Sequence, residues 1–137
     1  MSKNIAVVLG SFHKSEALEM LDEIRQYCTE HQLNICEEVW VPGSMEKPLA
    51  LKTLLAKPSI DGAVVVGIIE KGETSHGFVM ATAVIDAIIN IQLETMKPVG
   101  VGILGPDITS EQIPPRVRPY ARSAVTAMNA MFDVLDS

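Results

Sequence analysis

The chain has 137 residues, the size of one ordinary domain, and 47% of them are hydrophobic, which excludes a disordered chain and provides for a sizeable core. Only 4% are aromatic, so burial rests on Val, Ile, Leu, Ala and Met, and the formal net charge of -6 argues against a nucleic-acid binder, which needs a basic face. For so short a chain, that much apolar surface suggests burial of part of it against copies of itself.

Ile5–Leu9 (IAVVL) is a continuous β-branched apolar run and reads as a buried strand, with Gly10, Ser11, Phe12 and His13 as the loop after it. From Lys14 to about Gln32, Ala17, Leu18, Leu21, Ile24 and Cys28 recur at helical spacing with charges on the other face. Ile35–Val41 (ICEEVWV) favours a strand, and its two Glu place it towards an edge. Pro42-Gly43 stops it. Ser44 is placed to cap a helix running through Leu49, Ala50, Leu51, Leu54 and Leu55, with Pro48 in its first turn and its end before Pro58.

Gly62–Ile69 is apolar on both faces and reads as the central strand. A polar, Gly-containing loop leads from it into a third helix, about Ser75–Met96, which is apolar almost all round through Phe78, Val79, Val84, Ile85, Ile88, Ile89, Ile91 and Leu93. One sheet covers only one face of such a helix, so the other face is expected in a subunit interface. Asp86, Asn90 and Gln92 interrupt the apolar run, and no membrane span is expected. Pro98–Leu104 (PVGVGIL) is a fourth strand, after which Gly105-Pro106-Asp107 is expected to turn the chain. Pro114, Pro115 and Pro119 are expected to keep Ile108–Pro119 irregular, with the last helix running from near Tyr120 to about Leu135. Strands and helices alternate, so the expected fold is α/β: a single domain over residues 1–137, with a parallel four-stranded sheet, helices on both faces in three layers, and right-handed crossovers.

The strongest chemical signal is Val64–His76 (VVVGIIEKGETSH), a buried strand, a loop at its carboxyl edge and the start of a helix. Ligands bind at such edges in open α/β sheets, and helix N-termini suit anions, phosphate above all. Thr74 and Ser75 offer hydroxyls and amides, and His76 in the first turn is placed to accept a proton; a plain helix start with Thr74 as its cap is the equally weighted alternative. Gly100-Val101-Gly102-Ile103-Leu104-Gly105 matches G-x-G-x-x-G but is rejected as a dinucleotide site. Its first two glycines lie inside a strand, where Gly marks close backbone or ligand approach. Phe12 sits at the same sheet edge and either stacks on a planar ring or plugs the first helix. Glu46 is placed to accept hydroxyl hydrogen bonds, or is an acid favoured by its helix dipole. Arg116, Arg122 and Arg118 form the arginine cluster from which a phosphate contact is drawn, with Arg118 read as a solvated side chain. His13, His31, Cys28 and Cys36 form no metal set. The two cysteines and the lack of a signal-peptide pattern suggest a reduced, cytoplasmic chain. Metal-free chemistry on a phosphorylated substrate with a planar second partner is the expectation from the residues.

Three segments then resemble the lumazine synthase family, in its order and spacing: Val41-Pro42-Gly43-Ser44-Met45-Glu46-Lys47-Pro48-Leu49-Ala50, Gly67 through Gly72-Glu73-Thr74-Ser75-His76, and Gly102-Ile103-Leu104-Gly105-Pro106. Gly10-Ser11-Phe12 and Arg116-Val117 also fit, and the likeness is greatest to short archaeal-type members. The resemblance implies a flavodoxin-like αβα sandwich assembled as homopentamers, sometimes decamers or sixty-subunit shells. It implies condensation of 5-amino-6-(D-ribitylamino)uracil with 3,4-dihydroxy-2-butanone 4-phosphate in riboflavin biosynthesis, without metal or cofactor. On these positions it implies that Phe12 stacks on the pyrimidine, and that Ser44, Met45 and Glu46 meet the ribityl chain. Ile68, Ile69 and Val101 line the ring site. Gly72, Glu73 and Thr74, with Arg116 from the neighbouring subunit and Arg122, hold phosphate, and His76 transfers protons. Met45 stands where the family commonly has Phe, Lys47 and Glu70 where it has apolar residues, and His13 where Asn is frequent. Lys47 and Glu70 motivate a second reading, a non-catalytic flavin- or lumazine-binding or shell-forming relative. A riboflavin synthase of the archaeal kind is a third, opposed by the intact phosphate loop.

Overall fold

The computed structural model describes residues 2–137. Eight main elements alternate: β1 (Asn4–Gly10), α1 (Lys14–Glu30), β2 (Asn34–Val41), α2 (Lys47–Leu55), β3 (Gly62–Glu70), α3 (His76–Thr95), β4 (Val99–Ile108) and α4 (Val117–Leu135). Short 3-10 turns at Ser44–Glu46 and Pro114–Arg116 lead into α2 and α4. The strands form one parallel sheet in the order β2-β1-β3-β4, so the two continuously apolar runs, β1 and β3, are the inner pair and the Glu-bearing β2 is an edge.

Alternation along the strands divides the core. Ile5, Val7, Leu9, Val64 and Val66 face α1 and α4, whereas Ala6, Val8, Ala63 and Val65 face α2 and α3. Each fully buried Val or Ile contributes roughly 1.5–3 kcal/mol, so these two strands carry much of the stability. The expected three-layer αβα arrangement is therefore the observed one.

Three local expectations are corrected. Gly105-Pro106-Asp107 does not end β4; the strand bulges there and pairs again, with Ile68 opposite Leu104 and Glu70 opposite Ile108. Positive φ at Gly105 (104°) and Asp107 (64°) takes up the extra residues without breaking the ladder. The last helix starts at Val117, three residues before Tyr120, and Pro119 lies in its first turn, where an N–H has no intrahelical partner to lose. Ser44 does not cap α2. It lies in the preceding 3-10 turn, and its hydroxyl accepts a hydrogen bond from Lys47 instead. Gly100 is a point of close approach: a Cβ there would stand 2.0 Å from the Ala124 carbonyl oxygen on α4.

By length and composition α3 is apolar enough to cross a membrane. In the fold it packs Ala81, Val84, Ile88 and Ile91 onto the sheet and leaves Phe78, Val79, Ile89 and Leu93 exposed on the chain's surface.

Candidate active site

Strand order reverses direction between β1 and β3, and a crevice opens at the carboxyl ends of strands at such a point. The cleft there has a volume of about 520 Å³, within the range that small-molecule sites occupy. Its floor is made by the end of β1, the end of β3 and Lys47; Ser44, Met45 and Glu46 form one side, and Gly72, Thr74 and His76 the far rim. Backbone bonds fix these loops. Ser11 and Phe12 donate their N–H groups to the Val41 and Pro42 carbonyls (2.8 and 3.3 Å), and Lys71 donates to the Ile108 carbonyl (2.9 Å). The bulged extension of β4 thus seats the loop that follows β3.

Phe12 is 63% exposed and Met45 60%, so neither plugs the core; both offer bare apolar surface at the cleft. His13 meets the Phe12 ring edge-on, with centroids 4.6 Å apart. It holds a left-handed backbone (φ 63°), a conformation that Asn, Asp and His tolerate better than most residues. Its Nε2 lies 3.0 Å from a Glu70 carboxylate oxygen, an ion-pair approach whose angle falls outside hydrogen-bond geometry. His13 and Glu70 therefore face each other and brace the Phe12 loop against β3.

On the rim, the His76 amide donates to the Thr74 hydroxyl (3.3 Å), and the whole stretch from Lys71 to His76 is exposed. Thr74 thus closes the turn into α3.

Phe12, Ser44, Met45, Glu46, Ile68, Ile69, Gly72, Thr74 and His76 come together in one cleft. Glu73 belongs to the exposed loop but does not line it. Val101 lies on β4 at the sheet edge, 37% exposed, away from the cleft of its own chain. Arg118 and Arg122 share Glu23 on α1, and Arg116 stands apart from them. Arg118 pairs with Asp22 (2.8 Å), and Arg122 is held by Glu23 (3.0 Å) and Glu30 (2.7 Å), all on α1. Those carboxylates hold the Arg122 guanidinium on the α1–α4 face of its own chain. Arg116 donates to the Gln112 carbonyl (2.9 Å) and has no carboxylate partner among the described residues.

Lys47 was legible only as a departure from the pattern. It is 1% exposed, and Nζ donates to Ser44 Oγ (3.1 Å), its one hydrogen bond among the described residues. Its side chain runs under the cleft between Gly10 and Gly67; a Cβ at Gly67 would stand 2.1 Å from Nζ. Burial lowers its pKa from 10.5 to about 8, with Glu46 pulling the other way. The signal in the sequence was a lysine directly before Pro48 in an amphipathic helix start. Only the fold puts it beneath the sheet edge.

An open parallel αβα sheet with a cleft at its switch point, rimmed by an exposed loop and a histidine, is the architecture in which α/β folds place small-molecule sites. The model of the family described as 6,7-dimethyl-8-ribityllumazine synthase matches residues 2–136. Relatives bearing that name include one from Methanococcus vannielii, 35% identical over 90% of this chain and 88% of its own length. The one from Metallosphaera sedula is 36% identical over 90% and 82%, and that from Picrophilus torridus 35% over 97% of both chains. The chain belongs to the 6,7-dimethyl-8-ribityllumazine synthase family.

Proposed function

We propose that this chain is a transferase of riboflavin biosynthesis. It condenses 5-amino-6-(D-ribitylamino)uracil with 3,4-dihydroxy-2-butanone 4-phosphate to 6,7-dimethyl-8-ribityllumazine, releasing phosphate and water. The observation that carries this reading is the single cleft in which an apolar ring site and an exposed amide-rich loop share a rim with His76.

The ring of the uracil lies against Phe12, Ile68 and Ile69, and its ribityl hydroxyls meet Glu46 and the backbone of Ser44 and Met45. The phosphate rests on Gly72, Glu73 and Thr74. The 5-amino nitrogen attacks the ketone carbon, and loss of water gives an imine. Phosphate then leaves by elimination, the resulting enol tautomerises to a ketone, and the ribityl-bearing amine attacks that carbonyl and loses a second water as the ring closes. Protons move in each step, and His76 takes and returns them, which typically contributes 10²–10⁴-fold. Holding two substrates in register supplies the larger share of the rate.

A neighbouring copy completes the site. Arg116, which has no carboxylate partner among the described residues, reaches the phosphate of the next subunit, and Val101 walls the neighbour's ring site. Arg122 is left out of the phosphate site, because Glu23 and Glu30 already engage it. The exposed apolar face of α3 supports closed rings of subunits, and a homopentamer is the assembly we assign. Free Cys28 and Cys36 suit a reducing, cytoplasmic setting.

The test is a coupled assay of the purified full chain with both substrates, following absorbance of the lumazine product. Turnover that needs both substrates is expected. Binding of the product without turnover would favour a non-catalytic relative and end the proposal.

A further inference from the structure

A buried ammonium is costly unless its N–H groups are matched, and Lys47 matches one of three, with Ser44. No carboxylate lies within ion-pair distance of Nζ among the described residues. The side chain is not drawn to the surface, as long lysine stems usually are. Gly10 and Gly67, at the ends of the two inner strands, leave the gap it occupies, and it ends under the cleft floor. The walls above it, Phe12, Met45, Ile68 and Ile69, are apolar and suit the face of a ring. What such walls cannot satisfy is the polar edge of that ring.

We propose that Lys47 is a substrate-anchoring residue, whose ammonium donates its unused N–H bonds to an acceptor on the edge of the pyrimidinedione ring at the bottom of the cleft. The role rests on the function proposed above and adds to it a donor that the apolar walls of the cleft lack. The phosphate lies at the rim, on the loop between Gly72 and Thr74, so Lys47 serves the heterocycle and not the phosphorylated ketone.

Charged and titratable groups near it are Glu46 on the same turn, Glu70 and Lys71 at the end of β3, His13 beside Glu70, and His76 at the start of α3. All of them remain in a Lys47→Met variant, which isolates the amine.

The experiment compares the full-length wild type and Lys47→Met, with circular dichroism confirming the fold of each. Two probes are titrated: 6,7-dimethyl-8-ribityllumazine by fluorescence, and inorganic phosphate by competition against turnover. At pH 7 the variant is expected to bind the lumazine ten- to a hundredfold more weakly, the loss typical of a hydrogen bond to a charged group. Phosphate binding is expected to stay the same. KM for the ribitylaminouracil rises, and KM for the phosphorylated ketone does not. Wild-type lumazine affinity falls as pH rises from 7 to 9.5, more steeply than that of the variant, which also serves as the measure should its fold loosen. Equal lumazine affinity in the two proteins, or a loss confined to phosphate, overturns the role of Lys47 while leaving the catalytic reading intact. A wild type that neither turns over nor binds the lumazine overturns both.

Discussion

Replacing Lys47 with Met should make the unliganded protein more stable. Below pH 8 the folded chain holds a charged amine whose pKa is lowered from 10.5 to about 8 by burial. At ~1.4 kcal/mol for each pKa unit, that gap corresponds to ~3 kcal/mol of destabilisation. Met fills nearly the same volume without the charge, and losing the bond to Ser44 gives back ~1 kcal/mol. The net gain is ~2 kcal/mol, or on the order of 5 °C in Tm for a chain of this length. The pH dependence fixes the cause. Because the folded pKa lies below the unfolded one, the unfolded chain binds the extra proton between pH 8 and 10.5, so the wild type gains stability across that window. The advantage of the variant is therefore full at pH 7 and shrinks as pH climbs towards 10.5. Urea unfolding of both proteins at equal protomer concentration, at pH 7, 8.5 and 10, measures it. A variant less stable at pH 7, or an advantage flat from pH 7 to 10, would refute the argument.

His76→Ala is expected to lower kcat by 10²–10⁴-fold with little change in either KM, read in the coupled assay. Arg116→Ala should raise KM for the phosphorylated ketone tenfold or more. Mixing it, after unfolding and reassembly, with His76→Ala chains should restore part of the activity, because some sites then pair an intact histidine with a neighbour's intact arginine; no recovery places Arg116 in its own subunit's site. Arg122→Ala should leave both KM values unchanged and make the protein slightly less stable at low salt, an effect that added salt removes, since its partners are Glu23 and Glu30 on the surface.

Much of this molecule is written locally. The β-branched runs at Ile5 and Val64, the helical spacing from Ala17 to Cys28, and the polar loop before His76 are patterns of neighbouring residues, and burial at fixed periods is what they encode. They specify the αβα layers and put Phe12, Ser44 to Glu46 and the Gly72–His76 loop at the same edge of the sheet, because every strand of a parallel sheet ends there. What the sequence left open depends on residues far apart in the chain. β4 continues through its bulge because Glu70 pairs with Ile108, and α4 starts early because its first turn has no hydrogen bond for Pro119 to break. His13 meets Glu70, and Arg122 meets Glu23 and Glu30, only once the β1 loop and α1 are packed in place. Lys47 is an ordinary helix-start lysine on paper; the meeting of Gly10 and Gly67 across two inner strands opens the space that takes it beneath the cleft. Such a gap exists only between elements, so no single stretch of sequence contains it.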